Sequence, residues 1–204
     1  MVNWPGILVL IGAILAAIGV FWGANNQIKS EQELRRKADQ IAELTTRNAE
    51  LTTKNKDFII GGNSFCYVTI ANLDPNTNQG ILTVVHQGDY PIYDVSARIV
   101  DLQQFRQITS YSLPNLQKAE TNLRIGNMIK ATAMAITPFD LGSFSNKDFN
   151  IYFAARNGLF TQLLRLRKID GKWTTAIKVD KDGKTVFEKV DDDFPKTKQG
   201  QIQW

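Results

Sequence analysis

The chain has 204 residues, of which 43% are hydrophobic and 22% charged, and its formal net charge is +4. Those fractions exclude a low-complexity or disordered polymer, and the length fits one domain of about 150 residues with something added. A single Cys and a single His exclude an intrachain disulfide and a zinc site made from those residue types.

The addition is at the front. Trp4 to Ala24 carries no charge, and the helix from Ile7 to Ala24 would rise about 27 Å, close to the hydrocarbon thickness of a bilayer. Trp4 and Trp22 stand at the ends, where indole rings favour the headgroups. Residues 4–24 read as an uncleaved transmembrane helix, since a signal peptide would carry Lys or Arg ahead of the apolar run. Lys29, Arg35, Arg36 and Lys37 follow the span and lean the remainder toward the cytoplasm, although an N-terminal anchor with an exported domain is also a common plan. Gly19 with Gly23 and Ala13 with Ala17 are small pairs of the kind that let helices approach.

After "GANN", the residues Ser30 to Glu33 form a capping box, which predicts that a second helix starts there. Over residues 30–58, Leu34, Ile41, Asn48 and Asn55 recur at heptad a positions, and Leu44, Leu51 and Phe58 at d. Asn at a favours a parallel dimer at some cost in stability. Lys37 occupies a d position, and Thr45 and Thr52 fill e positions where charges would help. The expectation is a short coiled coil making a parallel homodimer, with a solvated single stalk as the alternative.

From Gly61 the helical period gives way to β-branched and aromatic runs. Residues 64–72, 80–87 and 90–102 read as strands bounded by "DPNTNQG" and "QGD". In the third, Tyr93, Val95, Ala97 and Ile99 share one face, and Asp94, Ser96 and Arg98 the other. "NLQKAE" suggests a helical turn, and "LRIGNMIKATAMAITPF" one or two more strands. "DFNIYFAAR", "LFTQLLRLRK", "KWTTAIKV" and "KTVFEKV" follow, separated by Asn157-Gly158, Asp170-Gly171 and Asp182-Gly183. Each of these pairs tolerates the positive φ angles of a two-residue turn.

A turn at Asn157-Gly158 would set Ala155 opposite Phe160, Ile151 opposite Leu164 and Phe149 opposite Leu166, with Asn150 facing Arg165 and Asp148 facing Arg167. A turn at Asp170-Gly171 would pair Lys168 with Trp173, Leu166 with Thr175 and Leu164 with Ile177. Both place the same face inward, with Gln162 as its polar exception. At the third turn simple pairing sets Ile177 against Glu188, which predicts a bulge or a longer loop. About eight or nine strands without recurring helices predict a mainly β domain over residues 61–204, an antiparallel immunoglobulin-like β-sandwich preceded by the transmembrane and heptad-patterned helices.

The stretches "GGNSFCYVTI", "YPIYDVSARIVDL", "LRIGNM" and "FNIYFAARNGLFTQLLRLRKIDGKW" resemble a group of bacterial membrane-anchored proteins that join an N-terminal span, a short coil and one β domain. No activity is assigned to that group, so the resemblance implies an arrangement and a bacterial membrane location. "YDVSARIVD" also looks like strands of immunoglobulin-like modules in bacterial envelope proteins, and implies binding or spacing.

Residues that carry chemistry are few. Cys66 alternates with Val68 and Ile70 and reads as a small buried hydrophobe, while His86 reads as a surface or edge residue. A membrane-associated hydrolase using Cys66 or His86 is the enzymatic alternative. Asp74, Asn76 and Asn78 alternate as calcium ligands do, but the sixth-position glycine and closing glutamate are missing, so a turn is expected and no metal or cofactor. What remains is the outer face of the last strands, where Tyr152, Arg156, Arg165, Arg167, Lys172 and Lys178 gather. It reads as a solvated sheet face, or as a docking strip for anionic lipid or an acidic protein. Nucleic acid ranks last because no aromatic platform interleaves with the charges. The expected function is a non-catalytic, membrane-anchored binding or assembly module with an unidentified protein partner.

Overall fold

The structure, a computed structural model, describes residues 4–110 and 112–204; the side chain of Trp4, an expected headgroup anchor, lies outside the described residues. The chain forms two compact units, Met1–Lys54 and Asn55–Trp204. A single helix, α1 (Trp4–Ile60), takes the place of the two expected segments. The break after Ala24 and the cap at Ser30 do not occur. Asn25, Asn26 and Ser30 each cost only about 0.5 kcal/mol relative to Ala inside a helix, less than ending one helix and nucleating another. Thr45 and Thr53 fold their hydroxyls back onto the carbonyls of Ile41 and Ala49, at 2.7 and 3.0 Å. Leu34, Ile41, Leu44 and Leu51 remain 48–65% exposed, so the heptad seam is unburied within one chain.

Beyond α1 the order is β1 (Phe65–Ala71), β2 (Gln79–Gln87), β3 (Ile92–Asp101), α2 (Leu102–Arg106), α3 (Leu113–Lys118), β4 (Glu120–Met128), β5 (Ala133–Asp140), β6 (Asn146–Ala155), β7 (Gly158–Ile169), β8 (Lys172–Lys181) and β9 (Lys184–Val190). These are the nine strands among the described residues, and every pairing between them is antiparallel. They form a three-stranded sheet, β1-β2-β5, and a six-stranded sheet, β4-β3-β6-β7-β8-β9. Val68, Leu82 and Val84 of the first share one core with Ile99, Ile151, Leu164 and Ile177 of the second. Phe153 and Phe160, cross-strand neighbours in β6 and β7, stack within it at 4.7 Å.

The turns sort the register expectations. At Asp170-Gly171 both residues take positive φ and the expected pairs form, Lys168 with Trp173, Leu166 with Thr175 and Leu164 with Ile177. At the third turn a bulge lies between Val179 and Asp180, and Ile177 faces Lys189. The first turn differs from expectation by two residues: Ala155 pairs with Gly158, Phe153 with Phe160, Ile151 with Gln162 and Phe149 with Leu164. Gly158 has φ 116° while Asn157 keeps negative φ, so the turn is centred on Arg156-Asn157. A shift of two preserves which side chains face inward but changes every partner; Asp148 now faces Arg165. Tyr93 also departs from its expected face. Asp94 sits at φ 55° between Ile92 and Val95, where the ladder slips, so Ile92 is buried and Tyr93 only half-buried.

Candidate functional site

On the six-stranded sheet, β6, β7 and β8 bring the six expected face residues to one side, but that side is not an open basic strip. Arg165 is 4% exposed and buried, not solvated. Its guanidinium donates to the carbonyls of Phe149 and Leu164 at 2.7 and 3.2 Å and to Asn150 Oδ1 at 3.1 Å. Burial pulls its pKa down, with Asp148 opposing. Arg167 donates to Asp148 Oδ1 at 2.6 Å, so the expected Asp148–Arg167 pair forms diagonally rather than across the ladder. Arg156 grips Asp94 with two nitrogens, at 3.0 and 2.8 Å. Tyr152 lies under the Arg98 guanidinium at 4.9 Å. Lys172 is exposed.

The C-terminal segment explains why this side is occupied. Asp191 bonds Thr175 twice, through its amide at 2.9 Å and its carboxylate at 2.7 Å. Phe194, 4% exposed, lies 5.7 Å from the Arg167 guanidinium, and the Trp204 ring lies 5.9 Å from the Lys178 ammonium. Residue spacing within β6–β8 carries no sign of this cover, because it arrives from a segment without strand periodicity.

Cys66 and His86 are cross-strand partners in β1 and β2. Both are buried, which corrects the surface reading of His86: it is 3% exposed, with Nε2 hydrogen-bonded to the Tyr90 carbonyl at 2.8 Å. Its Nδ1 is buried without a partner among the described residues. The inward pleat at residue 86 and the fold-back of the Gly88–Tyr90 turn onto Ser64, whose Oγ accepts from the Tyr90 amide at 2.9 Å, close this end. Burial pushes the Cys66 thiol up to about 12, which works against a thiolate nucleophile. Because the folded-state value lies above the unfolded value near 9.0, this group's contribution is full below pH 9. From there toward pH 12 stability should fall by about 1.4 kcal/mol per pH unit, measured as the denaturant midpoint against pH. A midpoint flat from pH 8 to 11, or alkylation of the folded chain by maleimide at pH 7, would show the thiol to be accessible.

In the loop before β2 the Asp74 and Asn78 side chains are engaged by hydrogen bonds. Asp74 Oδ1 accepts the Asn76 amide at 2.8 Å and Oδ2 the Thr77 hydroxyl at 3.1 Å, and these bonds hold the Asp74 carboxyl below its usual range. Asn78 Oδ1 accepts from Lys168 Nζ at 3.0 Å and Trp173 Nε1 at 3.1 Å.

At the start of the β domain, side chains that sequence patterning leaves as turn and strand residues act as brackets. Gly61 and Gly62, both at positive φ, end α1. Asn157 Nδ2 donates to the carbonyls of Ser64 and Gly62 at 2.7 and 3.1 Å, Lys181 Nζ to Ser64 at 3.2 Å, and Arg156 to Ile59 at 3.3 Å. Asn157→Asp replaces the donor with a carboxylate facing carbonyls, and should cost roughly 2–3 kcal/mol in thermal or denaturant unfolding. An unchanged midpoint would show that the bracket contributes nothing.

The seam residues Leu34, Ile41, Leu44, Asn48, Leu51 and Asn55 all lie on α1 and are exposed. Comparison of the chain with protein-family models, with curated proteins and with solved structures finds no match.

Proposed function

We propose that this chain is a single-pass, membrane-anchored binding or assembly module of bacterial type, non-catalytic, displaying an immunoglobulin-like β-sandwich. The observation that carries the reading is α1: one unbroken helix whose first third is uncharged and long enough to cross a bilayer, and whose polar continuation keeps an apolar heptad seam in solvent. Two antiparallel sheets over a shared core support the sandwich assignment. Within the domain, the buried charged side chains Asp101, Lys147, Arg165 and Lys181 are engaged with one another or with backbone, which favours a scaffold over a reaction centre.

The test has two arms. Carbonate extraction should leave the full chain in the membrane pellet, and cross-linking in intact membranes followed by detergent pull-down should recover the same partners reproducibly. Recovery in the supernatant would end the anchor reading. A strictly monomeric chain with no reproducible partner would end the assembly reading. C-terminal reporter fusions decide the side of the membrane; the charge pattern after the span predicts the cytoplasmic one.

A further inference from the structure

We propose that two copies of this chain associate in parallel along one seam that runs without interruption from the membrane span into the polar part of α1. The proposal rests on the membrane-anchored reading and names the partner as a second copy. Because α1 is unbroken, the heptad phase defined by Leu34, Ile41 and Asn48 at a and Leu44 and Leu51 at d carries back into the span with no freedom to slip. Counting back in sevens places Ala13 at a, Ala16 and Gly23 at d, Gly12 and Gly19 at g, and Ala17 at e. Every Gly and Ala from Gly6 to Ala24 falls at a, d, e or g, whereas every Ile, Phe and Trp from Ile7 to Trp22 falls at b, c or f. In a supercoiled pair, which keeps the 3.5-residue period, the small face of the span therefore lies in line with the exposed seam beyond it, and the bulky face lies opposite.

Glycine disfavours a helix interior, so its repeated use needs a reason. Among the described residues of one copy there is none: a Cβ added at Gly12, Gly19 or Gly23 would meet nothing within 4 Å. A second backbone approaching that face supplies the reason, because small residues let helices pack closely in lipid. Orientation follows from two independent constraints. Copies inserted by the same span share one direction in the membrane. A parallel pair sets Arg47 and Lys54 at g against the uncharged Thr52 and Ile59 at e, so no like charges meet there. Parallel pairing also brings Asn48 to its own copy at an a layer. A straight helix drifts about 20° per heptad, so the seam implies a left-handed supercoil. Gln27, Ser30 and Lys37 make the seam polar between its two apolar parts, and contact is weakest there.

Cysteine scanning of the full chain in native membranes tests this, with the buried Cys66 left in place. Under a membrane-permeant oxidant, Ala13→Cys, Ala16→Cys, Ile41→Cys and Leu44→Cys should give at least about fivefold more disulfide-linked dimer than Ile14→Cys, Ile18→Cys, Glu43→Cys and Thr46→Cys. Gly19→Ile, which keeps the span apolar, should reduce the Ala16→Cys cross-link several-fold. Equal cross-linking at all positions, no cross-linking, an out-of-step phase between the two parts, or indifference to Gly19→Ile would each overturn the proposal. Carbonate extraction of the same samples separates the two readings. Chain in the pellet without seam cross-links defeats the dimer alone; chain in the supernatant defeats the anchor beneath it.

Discussion

Gln162→Leu should destabilise the β domain by roughly 2–6 kcal/mol, because it leaves two buried backbone groups without partners at about 1–3 kcal/mol each. Gln162 is 0% exposed and projects into the core from β7. Its Oε1 accepts the Val68 amide and its Nε2 donates to the Val68 carbonyl, both at 2.7 Å. β1 is an edge of the three-stranded sheet, so one side of its backbone has no strand neighbour. The glutamine amide takes the place of the missing peptide and joins the two sheets. Leucine is similar in volume and more apolar, so a transfer-energy argument alone predicts a gain. Denaturant unfolding of the full chain in detergent, followed by tryptophan fluorescence, decides between the two. A midpoint at or above that of the parent would mean that Val68 finds other partners.

Asp101→Ala should cost about 4–5 kcal/mol and Lys147→Met about 2–3, in that order, although both break the same ion pair. The pair is short, at 2.6 Å, with side chains 5% and 11% exposed for Lys147 and Asp101. The asymmetry comes from what each variant leaves behind. Without Lys147, the Asp101 carboxylate still accepts the amides of Gln103 and Gln104 at 2.9 and 3.1 Å, as the N-cap of α2. Without Asp101, α2 loses its cap and a buried ammonium is left with only the Phe144 ring, 4.7 Å away. Combining Asp101→Ala with Lys147→Met should cost less than the sum of the single changes, since the second removes the orphaned charge. Additive losses, or a larger loss for Lys147→Met, would show that the pair is not coupled in this way.

Much of the β domain was legible because strand periodicity and turn chemistry are local. The alternation in "LFTQLLRLRK" predicts which side chains of β7 face the core, and Asp170-Gly171 predicts its pairing with β8, because both turn residues adopt the positive φ that such a turn requires. Asn157-Gly158 misleads by two residues for a non-local reason: the Asn157 side chain is committed to the carbonyls of Gly62 and Ser64, and the residue keeps negative φ. Reading Arg165 as solvated fails for a similar reason. Alternation tells which face a residue is on, and places Asp148 there, but not whether the C-terminal segment covers that face.

By itself the sequence determined the apolar span, the heptad phase of the polar helix, the strand positions and, apart from Tyr93 beside the slip at Asp94, the inward faces, since each depends on spacings of a few residues. Tertiary structure alone decided the grouping of strands into sheets of three and six, the bond from Gln162 to a strand 94 residues away and the Lys147–Asp101 pair 46 residues apart. Such contacts depend on where distant segments meet, and the desolvation that makes them strong exists only once the core has closed around them. The unbroken course of α1 lies between these cases: local cap residues predict a break, and helix formers on both sides overcome it.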